Sequence, residues 1–155
     1  MAVSSQRVDD PRFARRTIAD DPLVVVAHCK HPLAAQKVVR LADIAAHTLL
    51  LREPGSRTRE ATESALKRLG IAPATLIEIG SREAIYEAIR HNMGCTLMPL
   101  GEAPAHPDLR QLPLEADAPI LQEYLYHLEA RAGARLITAF IANVQATEER
   151  PPKEC

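Results

Sequence analysis

The ten residues Arg52 to Ala61, REPGSRTREA, gather three arginines, one glycine and two hydroxyl side chains where a helix should begin. They follow the apolar run Leu49-Leu50-Leu51 and precede apolar residues at Ala61, Ala65, Leu66 and Leu69, a helical spacing. A helix start leaves backbone N–H groups without intrahelical partners and carries the positive end of the helix dipole. Amides of this kind, with Ser56 and Thr58 hydroxyls beside them, suit a carboxylate or a phosphate-like group. An ordinary reading stands next to this one: Ser56 is a good N-cap whose hydroxyl can accept from the amide of Thr58 or Arg59. Two features weaken that reading. Arg57 and Arg59 sit in the first turn, where the dipole favours acids by roughly 0.3 to 1 kcal/mol. No Glu or Gln lies three residues after Ser56, so a capping box is absent. The two readings are compatible, because a capping serine can still offer its proton to a ligand. The stretch is not a nucleotide P-loop, since the glycine spacing and the Lys-Ser/Thr ending are missing.

Other reactive side chains are scattered. His28, Cys29 and His31 form HCKH, and imidazole with thiolate suits zinc. Adjacent residues of a strand point to opposite faces, however, and no second ligand pair sits at useful spacing, so no metal centre is expected. Cys95 lies in an apolar segment and is expected in the core. His106 sits in a proline-rich loop with no evident partner. Arg12, Arg15 and Arg16 are flanked by Asp9, Asp10, Asp20 and Asp21, as on a solvated surface. Nothing assembles a nucleophile, a base and an oxyanion site, so an enzyme is not expected.

The elements that position REPGSRTREA are legible from hydrophobic periodicity. Leu23 to Ala27 is a β-branched run without polar alternation, hence a strand buried on both faces. Leu41 to Ala45 fits one helical turn and Thr48 to Arg52 a second strand. The helix from Arg57 ends at Gly70, where a left-handed cap belongs, with Ile71 making the accompanying apolar contact. Ala74 to Ile79 is a third strand. Ser81 caps a helix carrying Ile85, Ala88 and Ile89, stopped by Gly94, and Cys95 to Met98 is a strand ended by Pro99. This alternation builds a parallel sheet covered by helices, whose ligands sit at the carboxyl edge of the strands, where REPGSRTREA falls. Five prolines then mark a loop from Pro99 to Pro119 holding one short strand, Leu109 to Leu114. Ile120 to Leu128 is a further strand. A last helix carries Leu136, Ile137, Phe140, Ile141 and Val144 on one face, and a solvated tail follows from Glu148.

The bulk numbers exclude several classes. At 155 residues and 46% hydrophobic content the chain is globular, with a formal charge of -1 from 19 basic and 20 acidic residues. That balance lacks the electrostatic footprint of a duplex-binding domain, and 3% aromatic residues without Trp offer no base-stacking platform. No apolar stretch approaches the roughly 18 to 20 residues of a membrane span, and the N-terminus has no signal-peptide h-region. Three scattered cysteines fit a reducing, cytoplasmic setting better than a disulfide framework.

In order and spacing, DPLVVVAHCKHPLA, VRLADIAAHTLLLREPGSRTR and EIGSREAIYEAIRHNMGCTLMP resemble the effector-binding domain of LysR-type transcriptional regulators, over about Asp10 to Val144. The apolar-Arg-x-x-Gly-Ser-x-Thr element and the HPLA after the first strand carry most of the likeness. In HNMG only Gly94 remains of two glycines usual in the family. The resemblance implies an α/β fold like a type II periplasmic binding protein, two lobes of mostly parallel sheet with helices on both faces and an effector in the cleft. It assigns residues 1–21 to a remnant of the first lobe, 22–121 to the second lobe, 122–147 to the returning strand and last helix, and 148–155 to a flexible tail. It further implies that Gly55, Ser56, Arg57 and Thr58 contact a small anionic effector, carboxylate or phosphonate, and that the protein forms homo-oligomers. GSREAIYEAI, PDLRQLPL and LQEYLYHLEARAGARLITAFI resemble the subset associated with 2-aminoethylphosphonate catabolism. The family's winged helix-turn-helix and most of the first lobe are absent from these residues, so DNA contact is expected only through another domain. No cofactor is expected. A solute-binding protein of a transporter is the alternative with the same fold.

Overall fold

The computed structural model describes residues 1–115 and 118–148, with side chains to 144; the expected tail from 148 therefore lies almost wholly outside the described residues. Its strands are β1 (Ala2–Ser4), β2 (Phe13–His28), β3 (Thr48–Leu51), β4 (Thr75–Glu78), β5 (Cys95–Pro99), β6 (Leu109–Leu112) and β7 (Ile120–Leu128). Its α-helices are α1 (Leu41–Ala45), α2 (Arg57–Arg68), α3 (Arg82–Arg90) and α4 (Arg135–Glu148). The chain forms two compact units, one of Asp21–Leu121 and one of Met1–Asp20 with the segment from Gln122 onward. Strands β2 and β7 each run from one unit into the other.

In the unit of Asp21–Leu121 the strand order is β6-β2-β5-β3-β4. β3 pairs in parallel with both β4 and β5, as the strand–helix alternation requires. β2 is antiparallel to β5 (Leu23↔Pro99, Ala27↔Cys95) and to β6 (Val25↔Leu112, His28↔Leu109). The sheet is therefore mixed, and its parallel character is confined to β3, β4 and β5. Periodicity in β2 reports burial but not the direction of its partners.

Both faces of this sheet are covered. Leu23, Val25 and Ala27 join Leu49, Leu51, Ala65 and Leu66 in one apolar cluster on the α2 face. Val24 and Val26 join Leu50, Ile85, Ala88, Ile89 and Met98 in the other, on the α3 face. Period-two alternation thus delivers both clusters from one unbroken apolar run. Cys95 is fully buried, as expected, and burial pushes its thiol up to about 12.

Helix ends follow backbone chemistry. α2 closes with Gly70 at φ +66°, the Ile71 amide donating to Leu66 O and the Gly70 amide to Lys67 O, a Schellman end. α3 starts on Ser81, whose hydroxyl accepts from the Ala84 amide at 3.1 Å. It closes in the same way, with the Met93 amide on Ala88 O and the Asn92 amide on Ile89 O. Asn92, at φ +54°, supplies the left-handed conformation that the missing first glycine would have taken. Gly94 has no such latitude, because a Cβ there would lie 2.4 Å from the Thr48 carbonyl oxygen.

Three expectations are corrected. The strands do not start at Leu23: β1 precedes it, and β2 begins at Phe13. In β2 the pattern Ala14, Arg16, Ile18 half-buried and Arg15, Thr17, Ala19 exposed is a one-sided strand in which arginines interrupt the apolar signal. The last strand of the proline-rich loop ends at Leu112; Leu114 makes only an isolated bridge to Val39. The apolar residues of α4 do not share one environment: Ile137 is buried, Ile141 and Val144 are half-buried, and Leu136 is 76% exposed.

In the other unit β1 pairs antiparallel with β7 (Ala2↔Tyr126, Ser4↔Tyr124). The Tyr126 hydroxyl donates to Gln6 O and accepts from the Val8 amide, both at 2.9 Å, fastening the loop after β1.

Candidate functional site

Leu51 ends β3 and a tight turn follows. The Ser56 amide donates to Glu53 O at 3.2 Å, with Pro54 and Gly55 at its centre and Gly55 at φ +91°. Proline presets the first central residue and glycine supplies the positive φ of the second, as in a type II turn. The turn delivers Ser56 to the start of α2 at the carboxyl edge of β3.

Ser56 is the N-cap by position, but its hydroxyl makes no capping bond; the expected acceptance from Thr58 or Arg59 is corrected. Its backbone is extended, so the residue still starts the helix, with Ser56 O accepting the Glu60 amide at 3.0 Å. Arg57 is exposed and paired with Glu60, which satisfies the first-turn preference for an acid that Arg57 itself violates. Arg59 turns back instead: its guanidinium donates to Arg52 O at 2.8 Å, to Glu78 at 2.6 Å and to Glu63 at 2.8 Å. It ties α2 to the ends of β3 and β4.

Beside this helix start lies an indentation lined by Leu51, Arg52, Thr58, Arg59, Arg82, Ile85, Thr96, Leu97, Met98 and Glu102. Its closed part has a volume of about 20 Å³, room for roughly one water molecule. Of the four residues that the resemblance assigns to the effector, Thr58 lines the indentation; Gly55, Ser56 and Arg57 do not. Among the described residues the half-buried Thr58 hydroxyl has no partner, while Thr58 O accepts from the Thr62 hydroxyl at 2.8 Å. The Thr96 hydroxyl is spent on Leu50 O at 2.6 Å.

Besides Arg59, two cations line the indentation together with Thr58. Arg52 is half-buried and bound through two nitrogens to Glu53, each bond 2.8 Å. The Glu53 carboxylate holds the Arg52 guanidinium further above its ordinary pKa, and Arg52 lowers that of Glu53 in return. Arg82, at the start of α3, pairs with Glu102 at 2.8 Å. Neither arginine was singled out as a ligand from sequence. Arg52 stood in the quoted stretch, but Arg82 and Glu102 arrive from other elements, and no local pattern marks them.

His28 and Cys29 also depart from expectation. β2 ends at His28, so the alternation that would hold neighbours on opposite faces does not extend to Cys29, and Cys29 Sγ lies 3.9 Å from His28 Nδ1. His31 turns elsewhere, into the core, where its Nδ1 accepts from the Leu33 amide at 3.2 Å and its ring meets His47 edge-on at 4.7 Å. His106 does find a partner: its Nδ1 accepts from the Asp108 amide at 3.2 Å.

Residues 1–148 match the LysR substrate binding domain. The RuBisCO operon transcriptional regulator of Acidithiobacillus ferrooxidans is 39% identical over 80 residues, 52% of this chain and 26% of that protein. The regulator CfxR of Cupriavidus necator is 41% identical over 83 residues, 54% of this chain and 26% of that protein. The uncharacterised regulator YwqM of Bacillus subtilis is 30% identical over 138 residues, 87% of this chain and 46% of that protein. The chain thus spans about a quarter to a half of the curated relatives it matches. Among solved structures, the Synechocystis CcmR regulatory domain in complex with 2-PG superposes with a TM-score of 0.79 at 24% identity, over 96% of this chain and 73% of that one. The BenM effector binding domain with benzoate gives 0.80 at 20% identity, over 99% and 73%. At these identities the two structures establish the periplasmic-binding-protein-like fold. With the family match over residues 1–148, they make the chain a member of the LysR substrate-binding domain family, an effector-binding domain without a DNA-binding domain within its residues.

Proposed function

We propose that this chain senses a small anion bearing a carboxylate, phosphate or phosphonate, and that the anion seats against the start of α2. Asp21–Leu121 then supplies the second lobe of the sensor. Met1–Asp20 with the segment from Gln122 supplies part of the first. The observation that carries the reading is the Thr58 hydroxyl, unpartnered among the described residues, on a residue that lines an indentation also presenting Arg52 and Arg82. A hydroxyl and two guanidiniums can meet one anionic group, and Glu53 and Glu102 keep those guanidiniums neutralised until it arrives. Gly55 shapes the turn. Ser56, freed from capping, can add a hydroxyl, and Arg57 contributes field rather than contact. The whole protein acts on transcription through a DNA-binding domain outside these residues, as a cytoplasmic homo-oligomer.

The resemblance to regulators of 2-aminoethylphosphonate catabolism narrows the ligand to a phosphonate. The RuBisCO-operon relatives and the 2-PG bound by CcmR instead favour a phosphorylated carboxylate. Calorimetric titration of 2-PG and of 2-aminoethylphosphonate into a chain carrying both lobes separates the two. One of them binds, and Thr58→Ala weakens it tenfold or more, since a hydrogen bond to a charged group is worth about 1.5 to 3 kcal/mol. Equal affinity for wild type and Thr58→Ala removes the site.

A further inference from the structure

The cluster formed by His28, Cys29 and Asp108 is independent of the effector site. β2 runs antiparallel to β5, so the end of β2 lies beside the start of β5, at the edge of the sheet opposite Arg52 and Met98. The β2–β6 ladder sets Ala27 against Arg110 and His28 against Leu109, and the next pair in register is Cys29 with Asp108. One further backbone bond, from the Cys29 amide to Asp108 O at 2.7 Å, fixes that pair. A histidine nitrogen, the Cys29 sulfur and an Asp108 carboxylate oxygen all lie within 4.8 Å of one another.

We propose that these three side chains bind a zinc-class divalent ion, with water at the fourth corner. An N, S, O donor set is one that zinc accepts. Bond lengths of about 2.0 to 2.3 Å at tetrahedral angles place ligand atoms roughly 3.3 to 3.8 Å apart. The His28 Nδ1 to Cys29 Sγ distance of 3.9 Å is already close to that. The Asp108 carboxylate is exposed and closes the set by a side-chain rotation. Two contacts of His28 Nδ1 are given up: the 3.1 Å bond from the Lys30 amide, which water replaces because Lys30 is exposed, and the contact with the Cys29 thiol, whose proton leaves to solvent as the thiolate binds the ion. His106 Nδ1 lies 3.8 Å from Asp108 Oδ2 and accepts the Asp108 amide, holding that loop against the site. The ion would clamp the end of β2 to the loop before β6.

The test is Co²⁺ titration of metal-free chain in a Cys155→Ser background, followed by displacement with Zn²⁺. One equivalent of Co²⁺ should give a thiolate-to-cobalt charge-transfer band that Zn²⁺ abolishes. Cys29→Ser should lose the band, and Asp108→Asn should weaken Zn²⁺ binding at least tenfold. Both variants should melt with wild type in EDTA, because neither side chain is buried. Absence of the band at saturating Co²⁺, its survival in Cys29→Ser, or unchanged Zn²⁺ affinity in Asp108→Asn overturns the proposal.

Discussion

Asn92 and Gly94 show how two positions of one turn are constrained by different physics. At Asn92 the requirement is conformational: any L-residue at φ +54° is strained, and asparagine is among the least so. At Gly94 the requirement is steric, because the Thr48 carbonyl occupies the space of a Cβ. Gly94→Ala should therefore destabilise by about 1 to 3 kcal/mol or more, as overpacking does, and Asn92→Ala by about 1 kcal/mol. Asn92→Gly should change little, since relieved strain and added chain entropy oppose each other at about 1 kcal/mol or less. Denaturant midpoints check all three, and a Gly94→Ala as stable as wild type refutes the steric argument. His31 makes a different prediction. Burial, then the neighbouring His47 and His28, push its pKa below the ordinary 6.5. The unfolded chain thus takes up the proton first, so His31 makes stability fall as pH drops below about 6.5, until the lowered folded value is passed. His31→Asn keeps an acceptor for the Leu33 amide and should flatten the acid side of a melting-temperature profile; an unchanged acid slope excludes His31 as the cause.

Among the elements, α2 and α4 invite opposite experiments. Ser56 starts α2 by backbone conformation without a side-chain cap, so Ser56→Ala should leave the melting temperature unchanged, where a working cap would cost about 1 kcal/mol. A clear drop means that the hydroxyl does cap in solution. Arg59 is the stabilising residue of that helix start, with three acceptors and a side chain only 16% exposed. In α4, Ile137 faces inward while Leu136 and Phe140, four residues apart, stand on the surface at 76% and 36% exposure. A pair of large apolar side chains one turn apart favours burial against another chain. Light scattering of this chain should show a dimer or larger species, and Leu136→Glu with Phe140→Glu should return it to monomer with its helix content intact. A wild-type monomer with a fully protected α4 contradicts this.

For the molecule as a whole, the family assignment and the charge lead to the same expectation. The chain is an effector-binding domain with a formal charge of -1, and the recognition helix that reads a major groove belongs to a domain it does not contain. Gel shift or anisotropy at physiological salt should show no sequence-specific duplex binding by residues 1–155, and saturable, specific binding would refute the reading. No helix among the described residues is long and apolar enough to cross a membrane.

Much of this was written in local sequence. The unbroken apolar run from Leu23 to Ala27 announced the second half of β2 as a doubly buried strand, and apolar segments announced β3 and β5. Ser81 and Gly70 marked helix ends, because caps and left-handed turns depend on the residue occupying them and its immediate neighbours. The motif around Gly55 and Thr58 announced the family. Long-range pairing was not written there. Whether β2 met β5 in parallel or antiparallel changes no residue of β2, so the mixed sheet emerged only on folding. Arg82 and Glu102 reach the indentation from α3 and the turn after β5, so their convergence on Thr58 had no local signature. Cys29 and Asp108 lie 79 positions apart and meet only because β6 returns beside β2. Ser56 shows the limit from the other side: its residue type favoured a cap, and the conformation of its side chain in the fold withheld it.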